Sequence, residues 1–244
     1  MRFTLHLVQR RFEVLRLVLA AQFALMTICA LAALQLIVHF PFPSPLIRPI
    51  LPPKQAWPPD QIMQWVELGN YDSNFLEYFA RDPARHIPKG TNLVSPADGV
   101  VQRALFDNEI TYLVVGMSFW DVHVVRALIA GIVKNIEDDG SYYPRGVWLK
   151  HGFLKGKPSP VEKTVTIETK YGDVKVRLVS SYWASRLKVW VRIGERIEKG
   201  DKIGRILLGS TVITELPGDV PLIVKPKERV VGGETIISNQ GEPP

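Results

Sequence analysis

A run of 22 residues without a charged side chain, residues 17–38, constrains this chain more than any other feature of its sequence. A helix of that length crosses the hydrocarbon core of a bilayer, which is about 30 Å thick. A cleaved signal peptide is the alternative, because Ala30-Leu31-Ala32 offers small residues at cleavage-like spacing. The run is longer than the roughly 7–15 apolar residues of a signal-peptide core. The sequence therefore favours a retained, single-pass anchor in the cell membrane.

Charge and cysteine usage exclude several classes of protein. Half of the formal net charge of +6 lies in the basic segment before the apolar run, and no Lys/Arg block with interleaved aromatic residues follows. Nucleic-acid binding is therefore not expected. The single cysteine, Cys29, lies inside the apolar run, and no His/Glu pair has metal-ligand spacing, so no disulfide framework and no metal are expected. Arg48 and Lys54 follow the run, which leaves the orientation in the membrane open.

Composition divides the chain into four parts. Residues 1–40 form a basic leader and transmembrane anchor, and residues 41–60 form a linker with eight prolines, a density that predicts an extended spacer without helix or sheet. Residues 61–92 carry the apolar pattern of one or two short amphipathic helices, broken near Gly69-Asn70, which would lie on lipid or pack against the domain. Residues 93–244 form a β-rich catalytic domain.

Alternating, β-branched segments after residue 93 predict strands, with a hairpin turn at Tyr171-Gly172-Asp173. The pattern that runs from Glu195 to Ile203 recurs 33 residues later from Glu228 to Ile236. Each copy predicts a short strand, a glycine turn and a returning strand. We call these copies the first arm and the second arm. Two such units suit two-fold pseudosymmetry and are typical of the barrel-sandwich-hybrid fold of lipoyl and biotinyl domains. The predicted fold is mainly β, with an N-terminal transmembrane helix and short helices.

The bond between Gly209 and Ser210 lies between the two arms, in an apolar setting that is unusual for a turn. A serine hydroxyl there can attack the preceding carbonyl and form an ester. β-Elimination and hydrolysis would then split the chain and leave a pyruvoyl group on the new N-terminus. Such a ketone forms a Schiff base with an amine and accepts the electrons released by decarboxylation. An ordinary β-turn is the alternative. A serine hydrolase is not supported, because residues 206–212 lack a Gly-x-Ser-x-Gly elbow.

Several motifs surround this bond in a definite order. Residues 79–90 read Phe-Ala-Arg-Asp-Pro-Ala-Arg-His-Ile-Pro-Lys-Gly, residues 95–99 read Ser-Pro-Ala-Asp-Gly, and residues 120–127 read Trp-Asp-Val-His-Val-Val-Arg-Ala. The first arm then leads into residues 208–211, Leu-Gly-Ser-Thr. From about residue 79 to residue 237 the chain resembles the phosphatidylserine decarboxylases, pyruvoyl enzymes of phospholipid synthesis, and in particular the short form shared with archaetidylserine decarboxylases.

The resemblance implies a lyase zymogen that cleaves itself between Gly209 and Ser210 and uses a pyruvoyl cofactor made from Ser210. Its substrate would be a membrane serine phospholipid, phosphatidylserine or archaetidylserine. His123 would be the base of maturation, of decarboxylation or of both, oriented by Asp98. Arg126 would clamp the lipid phosphate or the substrate carboxylate. A structural histidine, an Asx-turn aspartate and a solvent-facing arginine are the respective alternatives.

Two segments depart from the family pattern. Residues 161–163 read Val-Glu-Lys where Asn-Glu-Arg is usual, and residues 180–186 replace an Ala-Gly and paired arginines. These changes spare the proposed nucleophile, base and orienting group but affect the expected substrate pocket. A degenerate family member and a non-enzymatic membrane adaptor with a hybrid domain are the alternative functions. The adaptor class needs long helical hairpins that this sequence lacks. Ester or ether lipid chains, and assembly into a homo-oligomer, are left open.

Overall fold

The computed structural model describes residues 2–39, 43–44, 47–139, 160–181, 186–207 and 210–239. The chain forms two compact units, Met1–Gln64 and Trp65–Pro244. The first unit begins with the long helix α1, Arg2–His39. Within it, Arg11–Val38 has a mean hydropathy of 2.3 and is long and apolar enough to cross a membrane. Large apolar side chains along this stretch, such as Phe23 and Met26, are exposed, as the lipid-facing surface of a membrane helix is.

The proline-rich linker contains helix, contrary to the prediction. A 3₁₀ helix covers Arg48–Ile50 and a single α-helical turn, α2, covers Pro53–Ala56. Each has a proline in its first turn. The first N–H groups of a helix have no partner within it, so a proline there costs no hydrogen bond and its fixed φ suits the helix. Density of proline therefore does not exclude helices of one turn.

Two short amphipathic helices follow, as predicted: α3, Pro59–Leu68, and α4, Ser73–Phe79. They are separated at Gly69, which takes a positive φ of 66° that suits glycine beyond a helix end. The Asp72 carboxylate then caps α4 by accepting a hydrogen bond from the N–H of Phe75 at 3.0 Å. Phe75 and Phe79 are fully buried, so α4 packs on the β-rich part of its unit.

Thirteen strands in three sheets make up the described part of the second unit. They are β1 (Leu93–Val94), β2 (Gly99–Asp107), β3 (Ile110–Met117), β4 (Val124–Arg126), β5 (Gly131–Asp139), β6 (Pro160–Thr169), β7 (Gly172–Ser181), β8 (Arg186–Val189), β9 (Arg196–Ile197), β10 (Lys202–Leu207), β11 (Ser210–Pro217), β12 (Arg229–Val230) and β13 (Ile236–Ser238). The large sheet has the order β12-β2-β3-β11-β7-β6-β5-β9, and β4-β10-β8 and β1-β13 form the small sheets. One apolar core spans both halves of the large sheet, with Leu113, Val165 and Val212 among its buried members.

The strands of the large sheet correspond in pairs when they are counted inward from its two ends. The hairpin β2–β3 corresponds to the hairpin β5–β6, β12 corresponds to β9, and β11 corresponds to β7. Both hairpins are bulged at the same position, between Val101 and Arg103 in one half and between Val133 and Asn135 in the other. The glycine turns of the arms also match, since the N–H of Gly200 and of Gly233 each bind a neighbouring carbonyl at 2.8 Å. The described β unit is therefore two-fold pseudosymmetric.

The pseudosymmetry gives the Ser210 region a special position. In one half, β6 turns tightly into β7, and Thr169 faces Gly172 across that turn. In the other half, Met117 at the end of β3 faces Ser210 at the start of β11. No turn joins these two ends, because β3 continues toward β4 while β11 follows β10. The bond before Ser210 thus lies where the other half has a hairpin turn.

Candidate active site

His123 lies immediately before β4 and is completely buried. Its carbonyl accepts a hydrogen bond from the N–H of Ile206 in β10 at 3.1 Å. The ring of Phe79, at the end of α4, stacks on the imidazole with a centroid distance of 4.0 Å. Helix α4 and strand β10 therefore fix the histidine from two sides. Val122 and Val124 are buried as well, so both faces of this segment lie in the interior.

The hydrogen bonds of His123 define its tautomer. Nδ1 lies 2.9 Å from the main-chain carbonyl oxygen of Asp121. A carbonyl oxygen only accepts, so Nδ1 carries the proton and Nε2 presents its lone pair. Nε2 is buried and has no hydrogen-bond partner among the described residues. Such an unpaired buried atom is rare in folded proteins and calls for an explanation.

The imidazole of His123 is neutral over a wide pH range. Burial lowers its pKa from 6.5 to about 4, and the charges of Arg81 and Arg205 act in the same direction. The Asp121 carbonyl and carboxylate oppose this lowering of the pKa without cancelling it. A neutral imidazole with a free Nε2 lone pair is a base ready to take a proton.

Ser210 begins the central strand β11. Its main chain faces Met117 of β3 on one side and Ser180 of β7 on the other. Gly209, like Leu208 before it, and the side chain of Ser210 lie outside the described residues. Strand β10, whose Ile206 binds the His123 carbonyl, runs directly into this bond. Strand β10 therefore contacts the predicted base through Ile206 and leads into the predicted cleavage bond.

Asp98 lies at the start of β2 and binds two other groups. Its carboxylate oxygens lie 2.9 Å from the Arg85 guanidinium, and Oδ1 also accepts the N–H of Gly232 at 2.8 Å. Among the described residues, the group that contacts His123 Nδ1 is the Asp121 carbonyl. The predicted orienting role of Asp98 therefore lacks a direct contact in this structure. That role stays a prediction, in which Asp98 would act on His123 through neighbouring groups.

Arg126 is buried, so the solvent-facing alternative is wrong. Its guanidinium binds the Asp82 carboxylate at 2.5 Å and the Gly200 carbonyl at 3.0 Å. Lys202 also pairs with Asp82. Burial would raise the pKa of Asp82, but these cations outweigh burial and lower it. Arg126 is thus neutralised by a partner from the 79–90 motif, and its predicted contact with a lipid anion stays a prediction.

Reasoning from the sequence does not identify three residues near His123 as functional. Asp121 supplies the carbonyl on Nδ1, and Arg81 and Arg205 supply nearby positive charge. The guanidinium of Arg81 donates to the carbonyls of Tyr78 and Trp120, and that of Arg205 donates to the carbonyl of Ala80. Within the described part of the chain neither arginine forms an ion pair with a carboxylate, although the charge of Arg205 acts on Asp82 and helps to lower its pKa. The only signal in the sequence is that Arg81 and Asp121 lie inside the motifs, whereas Arg205 lies between the first arm and residues 208–211.

Comparison with known proteins identifies the family. Residues 73–238 match the model of the phosphatidylserine decarboxylases. A Methanosarcina barkeri protein with the provisional name archaetidylserine decarboxylase proenzyme is 36% identical over 165 residues, which cover 67% of this chain and 76% of the relative. A Methanocaldococcus jannaschii protein with the same provisional name is 34% identical over 190 residues, covering 67% of this chain and 89% of the relative. The phosphatidylserine decarboxylase proenzyme of a Brugia malayi Wolbachia is 33% identical over 175 residues, covering 66% and 74% respectively. The chain belongs to the phosphatidylserine decarboxylase family.

Proposed function

We propose that this protein is a carboxy-lyase that cleaves itself at the Gly209–Ser210 bond and then decarboxylates a serine phospholipid, phosphatidylserine or archaetidylserine, to the ethanolamine lipid. The observation that carries the proposal is the buried Nε2 of His123, which has no hydrogen-bond partner among the described residues, in a member of a family whose relatives are named proenzymes. His123 lies beside strand β10, which leads into the Gly209–Ser210 bond. A structural histidine gives no reason for leaving that atom unpaired.

His123 would perform the proton transfer of maturation. Nε2 of His123 takes the proton of the Ser210 hydroxyl as its oxygen attacks the Gly209 carbonyl. The Asp121 carbonyl then stabilises the imidazolium through Nδ1–H, as the orienting group of a catalytic triad does. Burial favours prompt transfer of that proton to the Ser210 nitrogen, as its bond to the Gly209 carbonyl carbon breaks and the ester forms, because a charged imidazole is costly in this environment. The same nitrogen is placed to relay protons during turnover.

The site also fits a pyruvoyl group made from Ser210, because the buried lone pair of His123 faces no competing partner among the described residues. A pyruvoyl ketone supplies an electrophile for the serine amine and an electron sink for the departing carboxylate. Arg81 and Arg205 provide positive charge near His123, and neither forms an ion pair with a carboxylate of the described residues. We propose that they attract the anionic headgroup, and that Arg126 reaches it only by releasing Asp82.

Membrane attachment and fold complete the proposal. Helix α1 would anchor the protein in the cell membrane as a single span, which suits a two-chain lipid that stays in the bilayer. We also propose that the β unit is a barrel-sandwich hybrid. The matched arms and the pseudosymmetric large sheet support this assignment.

Mass spectrometry under denaturing conditions tests the self-cleavage. Wild-type protein should give a large piece ending at Gly209 and a piece of 35 residues that begins at a pyruvoyl group. Ser210→Ala should give intact chain, because no hydroxyl remains to attack. His123→Ala should slow or stop the cleavage. Asp98→Asn tests whether the carboxylate assists from its place beside Gly232.

The cleaved protein should release carbon dioxide from serine lipids, with ester and ether chains tested separately. Borohydride added with the substrate should trap the lipid on the 35-residue piece. Intact wild-type chain after long incubation in membranes would contradict self-processing and favour the degenerate or adaptor alternative. Fully cleaved protein that decarboxylates neither lipid would contradict the substrate class.

A further inference from the structure

The second arm follows the proposed cleavage bond in the sequence and contacts residues of the histidine site. It comprises residues 228–236, so after cleavage it would belong to the C-terminal piece. Arg229 pairs with Asp121, and the N–H of Gly232 donates to Asp98 at 2.8 Å. Both aspartates lie before Ser210. The second arm therefore binds the carboxylates of the two aspartates that the sequence motifs and the structure associate with His123.

Asp121 acts on His123 through its own main chain. Its carboxylate is 1% exposed, and Oδ2 accepts the N–H and the hydroxyl of Ser118 at 2.7 Å each. These bonds fix the loop of residues 118–121. The carbonyl at the end of that loop receives Nδ1–H of His123. A buried carboxylate needs compensation of its charge, and among the described residues Arg229 is the cation that pairs with it.

The first arm provides a comparison for this ion pair. Its residue equivalent to Arg229 is Arg196, since β9 and β12 occupy the matching ends of the large sheet. The Arg196 side chain is 83% exposed and approaches Glu198 at 3.9 Å. An ion pair so exposed contributes little to stability. The Arg229 side chain is itself 63% exposed, so the two arms differ in the partner: Arg196 approaches an exposed carboxylate, whereas Arg229 pairs with a carboxylate that is 1% exposed.

We propose that Arg229 is a positioning residue for His123, which it holds by neutralising Asp121 and thereby fixing the loop that orients the imidazole. The C-terminal piece thus supplies both Ser210 and the cation that keeps the base of the other piece in place. The assignment rests on the proposed function, because it takes His123 as the base.

Removal of the Arg229 charge should shift the pKa of His123 in a defined direction. The charged groups that act on His123 are Asp121, which favours the imidazolium, and Arg81 and Arg205, which oppose it. The Phe79 ring covers one face of the imidazole. Without Arg229 the negative charge of Asp121 is uncompensated, so the pKa of His123 should rise, by roughly one unit. A loss of packing alone would change rates without moving a titration midpoint in this direction.

The test follows self-cleavage of the full-length proenzyme, made by cell-free synthesis with lipid vesicles, as a function of pH. Arg229→Gln should move the acid midpoint of the cleavage rate upward by about one unit, whereas Arg229→Lys should largely keep the wild-type midpoint. The matched control is Arg196→Gln, which should behave as wild type. Arg229→Gln combined with Asp121→Asn should bring the midpoint back, because the unpaired anion is gone.

A second readout does not depend on cleavage. In the Ser210→Ala protein, ¹⁵N-histidine NMR spectra assigned with His123→Gln should show the same upward shift when Arg229→Gln is added. An unchanged midpoint, or an equal shift in Arg196→Gln, would overturn the role of Arg229. Wild-type protein that never cleaves would contradict the proposed function, and the NMR titration would still decide whether Arg229 sets the state of His123.

Discussion

At the residue scale, the proposed chemistry depends on a single neutral imidazole. His123 combines complete burial, an Nδ1 bond to a main-chain carbonyl and an Nε2 without a partner among the described residues. Burial of an ionisable ring and an unpaired buried atom both cost stability, whereas the Nδ1 bond contributes only a modest stabilisation. Their coincidence at a motif residue is the pattern of a functional group rather than a packing residue.

The first residue-scale prediction concerns stability and pH. The pKa of His123 in the folded state is about 4, below its ordinary 6.5. The unfolded chain therefore binds more protons between these values, so the stabilisation is complete above pH 6.5 and is lost as the pH falls toward 4. The loss should be on the order of 3 kcal/mol. Unfolding of Ser210→Ala protein in detergent at a series of pH values measures it. In the His123→Gln background this part of the pH dependence should disappear, and an unaltered curve there would contradict it.

The second residue-scale prediction separates two candidate anion contacts. Arg205 has no carboxylate partner in the described part of the chain, whereas Arg126 is paired with Asp82. In fully cleaved protein, Arg205→Gln should therefore raise KM for the serine lipid by about tenfold, the value of one charge-assisted hydrogen bond. Arg126→Gln should mainly lower the melting temperature. Steady-state kinetics and thermal unfolding measure both. The opposite result, with KM raised in Arg126→Gln alone, would restore the clamp predicted from the sequence.

The sequence predicts the residue types of the site better than their contacts. Motif order singles out Ser210, His123 and Asp98, and the histidine is indeed buried beside strand β10. The Asp121 carbonyl could not be foreseen, because a main-chain acceptor leaves no trace in residue identity. The pairing of Arg126 with Asp82 joins residues 44 positions apart, a distance over which no local pattern carries information.

At the scale of elements, a buried ion network connects three strands of the large sheet. Arg177 on β7 binds Glu162 on β6 at 2.5 Å and Glu215 on β11 at 2.5 Å. All three side chains are largely buried. Burial would lower the pKa of Arg177, but Glu162 and Glu215 outweigh burial and raise it. Since β11 follows the cleavage bond, this network also ties the two pieces together.

The element-scale prediction follows from that network. Arg177→Met should destabilise the protein by about 3–5 kcal/mol, because it leaves buried carboxylates without a countercharge. The matched control is Lys134→Met in the exposed pair Lys134–Asp173, which should destabilise the protein far less than Arg177→Met does. Denaturant unfolding of the two variants in the Ser210→Ala background compares them. Equal effects would show that Arg177 contributes no more than a surface ion pair.

Strand and helix positions follow from the sequence where the pattern is local. The alternation of residues 164–179 predicts the β6–β7 hairpin, and Gly69 predicts the break between α3 and α4. The linker prediction is wrong because proline positions within a turn, and not their number, decide whether a helix forms. The insertion of β11 between β3 and β7 depends on pairings across the whole domain and has no local signature.

At the scale of the whole molecule, the cleavage position leaves both pieces embedded in one β unit. Strand β11 pairs with β3 and β7, β12 pairs with β2, and β13 pairs with β1. Every one of these partners lies before Ser210. The proposed cut, at the position where the other half has a hairpin turn, interrupts none of the described strands, so the described fold is compatible with it.

The last prediction concerns the anchor. A two-chain serine lipid stays in the bilayer, so a protein held at the membrane by α1 meets it at a high effective concentration. Deleting residues 2–38 should lower turnover of the lipid in vesicles by about 10–100-fold. Turnover of a short-chain, water-dispersed lipid with the same headgroup should change by less than about twofold, since the catalytic groups lie after residue 78. An unrelated apolar helix in place of residues 17–38 should restore activity on vesicles. An equal loss on both substrates would mean that α1 is needed for folding and not for access to lipid.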